Sequence, residues 1–105
     1  MNRIFTLTLS SIGMIVGTAA QCDAADAAHG EQLARRWCAP CHVVAGDQRE
    51  PTSEAPPFAT VGRKPNFTAS QLALFLLDPH PKMPTMSLTR IEAADLAAYI
   101  ESLAK

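Results

Sequence analysis

Trp37-Cys38-Ala39-Pro40-Cys41-His42 is the stretch on which the reading of this chain turns. Two thiols stand three positions apart, and an imidazole follows the second directly. The residues just upstream, Gly30-Glu31-Gln32-Leu33-Ala34-Arg35-Arg36, are charged and helical in pattern, so the thiols sit at the end of a helix. From there both sulfurs reach the two vinyl groups on one edge of a haem, and His42 lies under the iron as proximal ligand. The spacing C-x-x-C-H is the attachment signal for covalently bound haem.

Three other readings of these residues compete. Trp37 to Cys41 also resembles the W-C-x-P-C of a thioredoxin-like thiol oxidoreductase. That fold needs an apolar strand just before the tryptophan and a βαβ context, and the charged helical stretch supplies neither. A closed zinc site draws four ligands, usually from two separated pairs, whereas only one cysteine pair and its neighbouring histidine are present. A plain surface disulfide is the third reading, suited to an oxidising compartment.

Upstream, the residues from about Asp26 to Trp37 read as one helix with Asp26 as N-cap. Gly30, Leu33, Ala34 and Trp37 share a face at helical spacing. A glycine is costly inside a helix, so Gly30 points to close approach by another element. His29 is expected on the exposed face. Further back, Met1-Asn2-Arg3 carries one positive charge and Ile4 to Cys22 carries none. A positive start, an apolar stretch and a small-residue exit make the pattern of a secretory signal peptide. A retained anchor is the competing reading, but a span needs about 20 predominantly apolar residues, and Thr, Ser and Gly interrupt this run. Cleavage is expected after Ala24, with sites from 20 to 25 fitting. A lipid anchor on Cys22 is disfavoured by the bulky Gln21 before it. The cut removes Cys22 and leaves residues 25–105 as one domain with a single cysteine pair.

Downstream, Val43 to Pro57 is a polar, proline-bearing loop, with Phe58 and Val61 placed to anchor it to a core. Thr68-Ala69-Ser70-Gln71 is a T-x-x-Q capping box, flanked by Phe67 and Leu72 as a hydrophobic staple, and predicts a helix over about Ala69 to Leu77. Pro79, Pro81 and Pro84 then stiffen an extended strap around His80, Lys82 and Met83. Thr89-Arg90-Ile91-Glu92 is a second capping box. It opens a last helix to about Leu103, with Leu96, Tyr99, Ile100 and Leu103 as its apolar stripe. No strand alternation is present. Loops this long in so small a domain imply function or a bound group.

Composition agrees. The chain has 105 residues, with 9 Lys+Arg against 10 Asp+Glu and a net charge of −1, so it offers no basic face for nucleic acid. Aromatic residues are 6% of the chain, too few to fill a core of this size unaided.

Together these features resemble a small class I, monohaem c-type cytochrome over nearly all of the mature chain. Gly30 stands eight residues before Cys38, where that family places a helix-packing glycine. Leu96-Ala97-Ala98-Tyr99 matches its L-x-x-aromatic on the last helix, which crosses the first at that glycine. Pro56-Pro57-Phe58 resembles its proline segment, and Lys82-Met83-Pro84 followed by Leu88 resembles its distal-methionine loop. Ala34 departs from the aromatic often found there, which implies a thinner helix crossing. The fold implied is all-α: three helices, with long loops wrapping one covalent haem c. The resemblance implies thioethers on Cys38 and Cys41, His42 as proximal ligand, and Met83 as distal ligand with Met86 as runner-up. It also implies that a proline carbonyl orients the His42 ring, from Pro56 with Pro57 behind it. Arg63 or Lys64 is placed to pair with a haem propionate, and Trp37 to reach one through its indole N–H or simply to pack.

The function implied is electron transfer rather than catalysis. The chain would act as an exported carrier, or as the cytochrome subunit of a larger dehydrogenase, in the bacterial periplasm. Its partners would be an electron donor and an electron acceptor protein, with no nucleic acid and no membrane span after cleavage. A haem enzyme or gas binder with an open axial position is the alternative, and requires that Met83 not ligate.

Overall fold

The computed structural model describes residues 24–48, 55–78 and 83–105, together with Gly17. The expected signal peptide with Cys22, the middle of the first loop, and the strap residues 79–82 with His80 lie outside the described residues. All regular structure among the described residues is helical. Four helices are present: α1 (Ala27–Leu33), α2 (Phe58–Gly62), α3 (Ala69–Leu77) and α4 (Arg90–Ser102). The first continues directly into a π-helical turn, Ala34–Cys38.

The helix starts are where the local sequence puts them. The Asp26 side chain accepts from the His29 N–H at 3.0 Å and opens α1. The Thr68 hydroxyl accepts from the Gln71 N–H and opens α3. At α4 both halves of the capping box form, Thr89 N–H to the Glu92 carboxylate at 2.8 Å and Glu92 N–H to the Thr89 hydroxyl at 3.1 Å. These bonds serve amide donors that a helix start leaves without partners. They also hold the Glu92 carboxyl below its ordinary range, with the Thr89 amide as the largest cause.

Two features depart from the sequence reading. First, a fourth helix, α2, begins directly after the first loop. Phe58 is buried and its N–H donates to the Val43 carbonyl at 3.0 Å, so the loop 43–57 is closed at its base. Five residues after a proline carry neither a periodicity nor a side-chain cap, so nothing in the local sequence announced them. Second, the first helix widens at its end, where the Ala39 N–H bonds to the Ala34 carbonyl at 3.0 Å. A wider turn advances each residue through a smaller angle. Cys38 therefore returns to the buried face with Gly30 and Ala34, while Trp37 swings out to 51% exposure, away from the face expected for it. Its ring instead carries the Arg36 guanidinium 4.9 Å from the centroid.

The helices pack on α4, which α1, α2 and α3 all contact. Ala34, Cys38, Val44, Phe58, Leu96, Tyr99 and Ile100 form the core. The α1–α4 crossing is at Gly30. A Cβ there would fall inside the Asp95 carbonyl and stand 2.9 Å from the Tyr99 Cβ. Gly62 plays the same part for α2, where a Cβ would meet the Ile100 carbonyl oxygen at 2.5 Å. Ala34, fully buried beside this crossing, lets the helices close without the aromatic that the resemblance led one to expect.

Candidate functional site

The π-helical turn, α2, α3 and α4 surround one large cavity of about 580 Å³, within the range of about 300–1,000 Å³ that cofactor and ligand sites occupy. Its lining is mostly apolar and includes Phe58, Val61, Phe67, Leu72, Phe75, Leu96 and Ile100. Cys38, His42 and Met83 line it as well, so three of the four residues expected to hold a haem meet on one cavity. Cys41 is outside the lining and exposed, in the same turn as Cys38, whose carbonyl accepts its N–H at 3.1 Å.

The His42 ring is held on two sides. Its Nδ1 lies 2.7 Å from the Pro56 carbonyl oxygen, and its ring stands 5.1 Å from that of Phe58, tilted by 47°. A carbonyl only accepts, so Nδ1 carries the proton and Nε2 of the neutral ring keeps its lone pair. Of the adjacent prolines 56 and 57, it is Pro56 whose carbonyl makes this contact, while Pro57 caps α2.

Burial, with a smaller push from Cys41, raises the Cys38 thiol to about 11. A thiol-exchange nucleophile needs the opposite, a thiol lowered by cationic or helix-terminal surroundings. With α1 standing where a strand was required, the thiol oxidoreductase reading loses its fold. The zinc reading fares no better, since among the described residues no three His, Cys, Asp or Glu side chains are placed to hold a metal ion.

The polar part of the lining comes from Lys64, Asn66, Thr68 and Gln71. Arg63 is exposed at the C-terminus of α2 and does not reach the lining, whereas its neighbour Lys64 does. Asn66 has a left-handed backbone, with φ 62°, at the bend that leads into α3. Trp37 does not reach the cavity. Met86 is absent from the large cavity's lining and packs half-buried against the core.

One polar cluster had no forecast. Asp95, 4% exposed in α4, takes the Asp26 N–H on one carboxylate oxygen and the His29 Nδ1 on the other, each at 2.7 Å. It ties the start of α1 to α4. The His29 side chain is 43% exposed rather than free on the surface, and its pKa is raised, chiefly by the hydrogen bond to Asp95. The available hint was an aspartate one turn before Tyr99, on the face that Gly30 must meet.

Comparison with known proteins agrees with this geometry. A family model described as Cytochrome c matches residues 27–104. A relative, cytochrome c-552 of Bradyrhizobium diazoefficiens, is 60% identical over 80 residues, covering 76% of this chain and 77% of its own. No solved structure matches the chain.

Proposed function

From a chain that belongs to the cytochrome c family, and so carries covalently bound haem c for electron transfer, we propose an exported monohaem electron carrier with His42 and Met83 as its axial ligands. The observation that carries this reading is the convergence of Cys38, His42 and Met83 on one apolar cavity large enough for the group. Haem c supplies one iron that alternates between ferrous and ferric states. Cys38 and Cys41 hold the macrocycle through thioethers. Donation from His42 Nδ1 to the Pro56 carbonyl fixes the ring and leaves Nε2 to face the metal, an outer contact that orients a ligand and raises its basicity. Met83 supplies the thioether on the distal side. Phe58, Leu96 and Ile100 would give the group an apolar wall, and Lys64 on the lining would be the cation for a propionate.

With both axial positions filled by side chains, no substrate binds the iron, so the chain carries electrons rather than catalysing a reaction. The exposed Cys41 marks the edge through which electrons enter and leave. The apolar amino terminus directs the chain to the periplasm as a cleaved signal, cut after Ala24, and the donor and acceptor proteins meet it there. Among the described residues no helix is long and apolar enough to cross a membrane.

Denaturing mass spectrometry of the purified protein tests the reading. The expected mass is that of residues 25–105 plus one haem, and Cys38→Ser is expected to lower the holoprotein yield sharply. Complete removal of haem from the wild type by acid–organic extraction overturns the covalent reading.

A further inference from the structure

Gln48 belongs to no motif, yet its side-chain amide is used in full. Its Oε1 accepts from the Val44 N–H at 2.9 Å. Its Nε2 donates to the His42 carbonyl at 2.8 Å and to the Ala39 carbonyl at 3.2 Å. The Ala39 carbonyl belongs to the C-cap of the first helix, where backbone acceptors lack intrahelical partners, and the His42 carbonyl to the turn that follows. The partners also settle which way the amide faces, since an N–H must meet the oxygen and two carbonyls must meet the NH₂.

The contacts continue on both sides. Val44 is anchored to α4 by the Tyr99 hydroxyl, which donates to its carbonyl at 2.5 Å. His42 in turn reaches Pro56 through Nδ1. The amide of Gln48 therefore closes the turn Cys38–His42 onto the loop that follows and, through Val44 and Tyr99, onto α4. The neighbouring Asp47 pins the same loop to the π-helical turn through Arg35 at 3.1 Å, but bonds neither of the carbonyls that Gln48 holds.

We propose that Gln48 is a positioning residue for the haem. By tying the His42 and Ala39 carbonyls together it sets the backbone from which the His42 ring and the two cysteine sulfurs project. This rests on His42 being the proximal ligand.

The test compares Gln48→Met, which keeps length and neutrality but forms none of the three bonds, with Arg35→Gln, which loosens the same loop from the π-helical turn. The readouts are covalent haem content by mass, reduction potential by voltammetry, and the paramagnetically shifted His42 and haem methyl resonances of the ferric protein. In Gln48→Met the potential and these resonances shift from wild type, or covalent haem content falls. In Arg35→Gln covalent haem content and the shifted resonances stay at wild type, while its potential moves only with the charge removed. Because Gln48→Met adds no charge, a shifted potential reports geometry. Wild-type potential, resonances and haem content in Gln48→Met overturn the proposal, and so do equal changes in both variants, which make the loop merely structural. A wild-type protein lacking covalent haem, or lacking shifted His42 resonances, overturns instead the function on which the proposal stands.

Discussion

Met83 and Met86 stand three residues apart in one loop, and the fold separates their roles. Only Met83 lines the large cavity, while both border a smaller one of about 50 Å³ beneath the end of α3. Thioether is a soft donor that raises the potential of haem iron. Met83→Ala is therefore expected to abolish the sulfur-to-iron absorption band, lower the reduction potential, and admit carbon monoxide or cyanide. Met86→Ala is expected to keep the wild-type spectrum and cost about 2 kcal/mol of stability, the lower end for truncating a buried methionine, because the side chain is only half-buried. Optical titration and voltammetry of the two variants decide it. Exchanged phenotypes would reassign the ligand, and two unchanged spectra would return the open-iron alternative.

At the scale of elements, the α1–α4 crossing carries two consequences. Alanine is the better helix former by about 1 kcal/mol, so propensity alone favours Gly30→Ala. The Asp95 carbonyl leaves no room for the methyl group, and Gly30→Ala is expected to destabilise the holoprotein by about 3 kcal/mol in denaturant titration. A neutral or stabilised variant would show that the helices do not close at this residue. The clasp that the Asp95 side chain makes beside this crossing responds to pH. Asp95, Asp26 and Glu92 all favour the protonated His29. Its pKa is raised above 6.5 in the folded state, so protonated His29 contributes its full stabilisation below pH 6.5. That contribution is lost as pH rises through the raised value. Thermal melts are expected to show stability falling over this window in the wild type, and His29→Gln is expected to flatten the slope. An equal slope in both would remove His29 from the account.

At the scale of the whole molecule, the core is arranged around the cavity that Cys38, His42 and Met83 line. Leu96, Ile100 and Phe58 belong both to the buried core and to the cavity wall. Phe75 and Leu72 of α3 face the cavity, and α3 buries none of its residues fully. A helix held by so little side-chain burial depends on what occupies the cavity, and a domain this short has little other surface to bury. Apoprotein made without haem, as in Cys38→Ser/Cys41→Ser, is expected to show markedly less helix by circular dichroism and no sharp thermal transition. A cooperative melt like that of the holoprotein would show that the protein alone supplies the core.

What the sequence determined by itself is local. Asp26, Thr68 and Thr89 mark the three longer helix starts because each cap is made with the amide three residues on, whatever the rest of the chain does. Cys38, Cys41 and His42 are legible for the same reason, since their chemistry lies in spacing along one turn. Gly30 announced a close approach because the penalty it carries in a helix needs a reason. The tertiary structure decided the rest. The widened turn that exposes Trp37, the start of α2 at Phe58, the choice of Pro56, and the reach of Lys64 rather than Arg63 each depend on where the loops close. Asp95 joins Asp26 across 69 positions and Tyr99 joins Val44 across 55, and such pairs leave no periodic trace in the sequence. A buried polar group must find its partner wherever the packing of helices brings one, so its role is written only in the folded chain.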